Sequence, residues 1–279
     1  MTAPIPRLVV TDLDGSLLDH DSYDYSPAKP LLDRLEEEGI PVVLASSKTR
    51  AEIQFLRNEL GNRHPYIVEN GAAVIFPAGY LPAMPDGAAV DGDEWLCAFA
   101  PPRAHWLQVL EGLREQYGDE FEHFAHGGVD WIVEQTGLDR ASAALANQRD
   151  YSEPVSFRGE ASRESAFVSA LRAAGANVLR GGRFWSVAGD CDKGRALVWL
   201  RGVLAAAWGV DTVADLAAGD SQNDCAMLDA AGTALLVRSP VHDFPALTRT
   251  AGVIHSAQYG PQGWAEGVSQ WLADAGSMD

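Results

Sequence analysis

Two aspartates, Asp12 and Asp14, stand one residue apart directly after a short apolar run near the start of the chain. The run Leu8–Val10 is typical of a buried strand, so both carboxylates can reach one cleft at the strand end. Crowded carboxylates repel unless a proton or a cation lies between them. Such a pair suits phosphoryl transfer, in which one carboxylate attacks phosphorus, the other handles the proton and a hard divalent cation balances the charge. A solvated Asp-x-Asp-Gly turn is the alternative.

Two further predicted strands also end in polar residues. Ser46 follows the apolar run 41–45, and Asp220 follows the strand-like run 215–218 and one glycine. In an open parallel sheet, ligands bind just beyond the carboxyl ends of the strands. We therefore expect Asp12, Ser46 and Asp220 to share one site.

Charge balance in that site requires cations. The carboxylates expected there are those of Asp12, Asp14, Asp220 and Asp224. A phosphate monoester adds about two more negative charges, and Mg²⁺ suits this excess because it takes oxygen ligands and commonly bridges to phosphate. We predict that Asp12 attacks phosphorus and that Asp14 protonates the leaving alkoxide and later takes a proton from water. Ser46 would bind the phosphoryl oxygens, and Lys193 would neutralise the charge that develops on them.

Composition limits the classes of partner. The 279 residues carry a formal net charge of −18, which argues against nucleic acid and anionic membranes as partners. No apolar run approaches the roughly 20 residues that a membrane-spanning helix needs, and the first residues resemble no secretion signal. The three cysteines are isolated, as in cytoplasmic proteins. His123 and His126 lack a third metal ligand, so we expect them on the surface.

Strand and helix patterns alternate near both ends of the chain, and the middle differs. Thr49 and Glu52 form a capping-box pattern that predicts a helix start. Residues 77–93 are rich in proline and glycine, as in a linker, and the region beyond mixes helices with antiparallel-looking strands, one of them predicted at 130–133. We predict an α/β fold, a doubly wound parallel-sheet (Rossmann-like) core with an inserted α+β cap domain. The predicted core comprises residues 1–86 and 191–279, and the predicted cap comprises residues 87–190.

Four segments resemble, in the same order, the four motifs of haloacid dehalogenase-like phosphatases. They are Asp12-Leu-Asp14-Gly-Ser-Leu-Leu, Ser46, Lys193 and Gly219-Asp220-Ser-Gln-Asn223-Asp224. The long insertion between Ser46 and Lys193 resembles the cap of the Cof-type branch. This resemblance implies that Asp12 is the nucleophile and Asp14 the acid–base residue. It also implies Mg²⁺ held by the Asp12 carboxylate, the Asp14 backbone carbonyl and Asp220, with Asn223 and Asp224 in support.

Further segments resemble the mannosyl-3-phosphoglycerate phosphatase family. They are Ser46-Ser47-Lys48-Thr49, Glu69-Asn70-Gly71-Ala72, Gln148-Arg149-Asp150-Tyr151-Ser152-Glu153-Pro154, Gly181-Gly182-Arg183-Phe184, Gly189-Asp190-Cys191-Asp192-Lys193-Gly194 and Gly260-Pro261-Gln262-Gly263-Trp264. This resemblance implies hydrolysis of mannosyl-3-phosphoglycerate, or of its glucosyl analogue, to a compatible solute and phosphate through an aspartyl-phosphate. The substrate also carries a carboxylate, which needs a cation besides Lys193. The predicted substrate-binding residues are Ser47, Lys48, Arg180 and Arg183.

Several alternatives stay open at this point. The substrate could be another sugar phosphate, or a lipid or cofactor phosphate. The enzyme could also be a phosphohexomutase that returns the phosphoryl group to a sugar. A non-enzymatic phospho-aspartate receiver or sugar-phosphate sensor is a further alternative, although a receiver has no need of an acid–base group at Asp14. The oligomeric state, monomer or homodimer, is left undetermined by the sequence.

Overall fold

The structure is a computed structural model that describes residues 5–180 and 183–276. Gly181 and Gly182, which belong to one of the motifs above, lie outside the described residues. The chain divides into two compact units. The first comprises residues up to 46, residues 62–97 and residues from 192 onward, and the second comprises residues 47–61 and 98–191. Among the described helices, none combines the length and the apolar character that crossing a membrane requires.

Strands and helices alternate along most of the chain. The strands are β1 (Arg7–Thr11), β2 (Val42–Ala45), β3 (Tyr66–Val68), β4 (Ala73–Pro77), β5 (Ala89–Asp91), β6 (Glu94–Ala98), β7 (Phe121–His123), β8 (Glu153–Phe157), β9 (Asn177–Arg180), β10 (Trp185–Ala188), β11 (Ala214–Gly219), β12 (Thr233–Arg238) and β13 (Val253–Tyr259). The helices are α1 (Lys29–Glu37), α2 (Arg50–Leu60), α3 (Arg103–Tyr117), α4 (Phe124–Thr136), α5 (Arg140–Ala146), α6 (Ala161–Ala173), α7 (Lys193–Trp208), α8 (Cys225–Ala230) and α9 (Gly260–Gly276).

The first unit is built on a parallel sheet. Its described strands lie in the order β13-β12-β11-β1-β2-β3-β4-β6-β5, and neighbouring strands from β13 to β3 are parallel. The chain moves outward from β1 through β2 and β3, and it later resumes on the other side of β1 with β11. The strand order therefore reverses at β1, which is where open α/β sheets bind ligands. Leu8, Val9 and Val10 are fully buried, as both faces of such a strand are covered. The predicted fold class is confirmed.

The second unit is an α+β unit with an antiparallel sheet in the order β7-β8-β10-β9. The predicted capping box is present at the start of α2, where Glu52 N donates to Thr49 Oγ1 at 3.1 Å and Thr49 N donates to Glu52 Oε2 at 2.8 Å. Thr49 Oγ1 also donates to the carbonyl oxygen of Leu145 at 3.0 Å, and α2 packs on α5. Residues 47–61 therefore group with the second unit, whereas the sequence placed them in the core.

The strand predicted at 130–133 is wrong, because these residues lie in α4. Phe124 and Ile132 of α4 are buried, and they belong to one apolar cluster with Ala143 and Ala146 of α5. A run of four residues cannot show whether its apolar positions repeat every two residues or every three to four. Contact with α5 decides in favour of the helix.

A buried carboxylate organises the second unit. Glu153 is fully buried, accepts a hydrogen bond from Arg103 Nε at 2.5 Å and lies 2.8 Å from His123 Nδ1. Burial acts to raise the pKa of Glu153, but the hydrogen bonds with His123 and Arg103 bring it below its usual value. The expected surface position of His123 is therefore wrong, since a buried carboxylate needs such partners. His126 is exposed, as expected.

Candidate active site

The carboxyl ends of three adjacent strands place the predicted catalytic residues at one edge of the sheet. Asp12 follows β1, Ser46 follows β2 and Asp220 follows β11, and each is at most 5% exposed. Thr11 pairs with Ala218 in the parallel register, and Asp12 N donates to the Ala218 carbonyl oxygen at 2.8 Å. The register of the sheet, set by its buried apolar residues, brings these polar side chains together.

Lys193 links two of the carboxylates from inside the protein. It is the first residue of α7 and is fully buried. Its Nζ donates to Asp12 Oδ1 at 2.5 Å and to Asp224 Oδ1 at 2.7 Å. Burial acts to lower the pKa of Lys193, but the negative charges of Asp12 and Asp224 raise it above its usual value. Lys193 is therefore a fixed positive charge beside Asp12.

Asp224 holds the loop that follows β11. Its Oδ2 accepts from the backbone N–H of Asp220 at 3.2 Å and of Ser221 at 3.1 Å, while Oδ1 accepts from Lys193. Asn223 lies in the same loop, and its Nδ2 donates to Asn70 Oδ1 at 3.2 Å. Both oxygens of Asp224 are engaged by protein groups, so Asp224 positions Lys193 and Asp220.

Asp14 lies in the tight turn that follows Asp12 and is half-buried. Gly15, the next residue, has φ +79°, and a Cβ there would lie 2.5 Å from Asp220 Oδ2. A side chain at position 15 would therefore be strained and would collide with Asp220. The glycine allows the turn that carries Asp14 to approach the carboxylate of Asp220.

The electrostatics of the cluster favour a bound cation. Burial, and next the charge of Asp224, raise the pKa of Asp12 well above its usual value although Lys193 opposes the shift. Burial and Asp224 likewise raise the pKa of Asp220 to about 6. The cluster holds the carboxylates of Asp12, Asp220 and Asp224 but only one ammonium group, that of Lys193, so negative charge is in excess when all are ionised. A divalent cation would remove this excess.

The donor set of the cluster fits Mg²⁺. Single carboxylate oxygens of Asp12, Asp220 and Asp224 all lie within 4.8 Å of one another. Asp220 Oδ1 is buried and accepts no hydrogen bond from the described residues. An all-oxygen set of this kind suits Mg²⁺ better than a transition metal. Asp12 and Asp220 are the side chains that would hold the ion, and Asp224 would support the site through Lys193 and the loop. The predicted contributions of Asn223 and the Asp14 carbonyl stay predictions.

Asp220→Asn is expected to stabilise the metal-free protein at pH 8. Because the pKa of Asp220 rises from 3.8 to about 6 on folding, its ionised form costs about 3 kcal/mol above pH 6. This cost is absent below the unfolded pKa, grows as the pH rises from the unfolded to the folded pKa, and is fully present above the folded one. Thermal unfolding in EDTA should therefore show a more stable variant at pH 8 and little difference near pH 4.

The same variant tests the cation site. Mg²⁺ should raise the unfolding temperature of the wild-type protein and of the Asp211→Asn control, whose aspartate is exposed. It should stabilise Asp220→Asn much less. An equal Mg²⁺-induced shift in Asp220→Asn would contradict the assignment of Asp220 as a ligand.

The predicted substrate-binding residues lie in the second unit. Ser47 and Lys48 are half-buried between β2 and α2. Arg180 donates to Glu164 Oε1 at 2.8 Å and lies over the ring of Trp185. Arg183 is engaged by the backbone, because its guanidinium donates to the last carbonyl groups of α4. Their contacts with a substrate stay predictions.

His242 lies beside the cluster and was missed in the sequence. Its Nε2 is 3.4 Å from Asp220 Oδ2. It belongs to the loop that follows β12, the strand next to β11. The strand-end argument that selected Asp12, Ser46 and Asp220 also covers this loop, so applying it to one more predicted strand would have found His242.

Comparisons with known proteins identify relatives of this chain. A family model described as haloacid dehalogenase-like hydrolase matches residues 9–81. A glucosyl-3-phosphoglycerate/mannosyl-3-phosphoglycerate phosphatase of Methanococcoides burtonii is 33% identical over 262 residues, which cover 94% of this chain and 96% of the relative. A protein of the same name from Persephonella marina is 32% identical and covers 94% of this chain and 95% of the relative.

A solved structure shows the same fold. A haloacid dehalogenase-like hydrolase from Bacteroides thetaiotaomicron superposes with a TM-score of 0.64 over 96% of this chain and 99% of that chain. Its sequence identity is 20%. The likeness therefore extends over both units of the chain.

Proposed function

This chain belongs to the haloacid dehalogenase-like hydrolases and is a phosphatase, and we propose that it hydrolyses glycosyl-3-phosphoglycerates to the glycosylglycerate and phosphate. The reaction is supported above all by the buried contact of Lys193 with Asp12 beside Asp220. The substrate class is supported by the names of the two relatives, which match nearly the full length of the chain. Mannosyl and glucosyl substrates both fall within those names.

The proposed reaction has two chemical steps, formation and hydrolysis of an aspartyl-phosphate. The Asp12 carboxylate attacks phosphorus, an aspartyl-phosphate bond forms, the ester P–O bond breaks, and Asp14 gives its proton to the leaving alkoxide. A water molecule then attacks phosphorus while Asp14 takes a proton from that water. The aspartyl-phosphate P–O bond breaks, which releases phosphate and restores the Asp12 carboxylate. Lys193 and Ser46 stabilise the charge on the phosphoryl oxygens. Asp12 and Asp220 would hold Mg²⁺, which would offset the negative charge of substrate and carboxylates.

The substrate is tested by measuring phosphate release from a panel. Mannosyl-3-phosphoglycerate, glucosyl-3-phosphoglycerate and common hexose phosphates are assayed with Mg²⁺ and with EDTA. A strong Mg²⁺-dependent preference for the glycosyl-phosphoglycerates is expected. Equal or better rates with hexose phosphates would contradict the substrate class and leave the phosphatase chemistry standing.

The same assay separates the remaining alternatives. A phosphohexomutase would give an isomerised sugar phosphate without free phosphate. A receiver or sensor would bind a phosphorylated ligand or keep a phosphoryl group without turnover. Either outcome would contradict the proposed hydrolysis. The cytoplasmic location and the assignment of the second unit as the specificity cap stay predictions.

Gly71→Ala is expected to lower both stability and activity. Gly71 has φ +91°, and a Cβ there would lie 2.2 Å from the Asp192 carbonyl oxygen and 2.7 Å from Lys193 N. The start of α7 would have to shift, which displaces the Lys193 ammonium group. We expect a loss of about 2 kcal/mol in stability and of at least about tenfold in phosphate release.

A matched control for this substitution is Gly79→Ala. Gly79 also has a positive φ, +75°, but a Cβ there would meet nothing within 4 Å. The control therefore carries the backbone strain without the collision. Thermal unfolding and phosphate release are measured for both variants. Equal effects at the two positions would contradict the role assigned to the contact between Gly71 and α7.

A further inference from the structure

A buried chain of hydrogen bonds runs from α9 to the backbone of Asp12. Trp264 Nε1 donates to Thr11 Oγ1 at 2.9 Å, and Thr11 Oγ1 donates to the Asp12 carbonyl oxygen at 2.7 Å. Trp264 and Thr11 are both fully buried. We propose that Trp264 is a positioning residue that acts through Thr11 to fix the backbone of Asp12 and thereby aim its carboxylate. This inference rests on the proposed role of Asp12 as nucleophile.

The start of α9 is built to accommodate Trp264. A Cβ on Gly263 would lie 2.2 Å from the Gln258 carbonyl oxygen and 2.5 Å from Ser256 Oγ, so only glycine fits next to Trp264. The helix that starts there packs against β11, β12 and β13. An indole N–H buried in this core is costly unless it has a partner, and Thr11 Oγ1 is that partner.

The hydrogen bond from Thr11 adds a further restraint to the position of Asp12. Its N–H donates to Ala218 on β11, its carbonyl accepts from Thr11, and its Oδ1 accepts from Lys193. Without the Thr11 bond, the peptide group after Asp12 has one restraint fewer, at the point where the strand passes into the turn. A small displacement of a reacting group costs rate more than binding, because it lowers the fraction of complexes in attacking geometry.

The experiment compares variants that break this chain of hydrogen bonds. Trp264→Phe removes its first bond and leaves a smaller ring, and Thr11→Val removes both bonds with little change in volume. Trp264→Phe and Thr11→Val are each expected to lower kcat for p-nitrophenyl phosphate hydrolysis with Mg²⁺ by about tenfold, with KM unchanged within about twofold. Because the two residues act in series, the double variant should be no slower than the slower single variant. Thr11→Ser keeps the hydroxyl group and should retain wild-type kcat. The control is Trp271→Phe, on the same helix and also buried.

Each outcome separates positioning from simple packing. Wild-type kcat in Trp264→Phe, or equal losses in Thr11→Ser and Thr11→Val, would overturn the proposal. If Trp264→Phe unfolds at the assay temperature, the Thr11→Val and Thr11→Ser pair decides alone. Asp12→Asn, measured in the same assay, identifies a failure of the underlying chemistry: an active Asp12→Asn contradicts the proposed nucleophile. An inactive Asp12→Asn beside a fully active Trp264→Phe contradicts only the positioning role.

Discussion

Asp12→Asn is expected to lower phosphate release by about 10⁴-fold or more, while the protein stays folded. An amide cannot replace the carboxylate as a nucleophile toward phosphorus, so no aspartyl-phosphate forms. The fold should survive because Asp12 is a buried carboxylate whose pKa is raised by burial and by Asp224. The neutral side chain of Asn avoids the free-energy cost of burying a charged carboxylate, and Lys193 keeps its bond to Asp224.

The measurement is phosphate release with Mg²⁺, together with the unfolding temperature of each protein. Asp21→Asn is the matched control, since Asp21 is an exposed aspartate in the segment that follows the same turn. It should retain wild-type activity. Activity within about tenfold of wild type in Asp12→Asn would show that another group attacks phosphorus.

Lys193→Met is expected to reduce both activity and stability strongly. The substitution leaves Asp12 and Asp224 buried without their shared cation, and breaking a buried pair in this way costs about 3–5 kcal/mol. It also removes the positive charge next to Asp12, and we expect at least about a 10³-fold loss of phosphate release. Denaturant unfolding and the phosphate assay measure the two effects separately.

A double variant separates stability from catalysis. Lys193→Met with Asp224→Asn removes the ammonium group and one of its two carboxylate partners, so much of the lost stability should return while activity does not. Lys29→Met is the control for a lysine-to-methionine change, because Lys29 forms an exposed ion pair with Asp33. Its stability should change by less than about 1 kcal/mol. Wild-type stability in Lys193→Met would contradict the role of the buried bridge.

Local patterns were sufficient to predict the architecture and the neighbourhood of the site. Short apolar runs followed by Asp12, Ser46 and Asp220 define buried strands with polar carboxyl ends, and parallel pairing forces those ends together. The capping box of Thr49 and Glu52 depends on residues three apart, so it too is visible in the sequence. The family resemblance of the motifs is confirmed by the full-length relatives.

Only the tertiary structure shows which distant residues contact one another and what each contact does. Asp224, predicted from the sequence to support the metal site, engages one oxygen with Lys193 and the other with its own loop. His123, expected at the surface, is held inside the second unit by Glu153. Both results depend on a buried charge. In low-dielectric surroundings, a charged group with a hydrogen-bond partner is far more stable than one without.

The sequence thus determined which residues lie at the ends of the strands, because strand and helix periodicities extend over a few residues and are set by local burial. It could not determine which side chains meet across helices. The sequence placed Lys193 in the site of Asp12, 181 positions away, but not its direct bond to that carboxylate, and nothing in the sequence indicated that Trp264 meets Thr11, 253 positions away. These contacts depend on how α7 and α9 pack against the sheet, and that packing is a collective result of core volumes rather than of any local pattern.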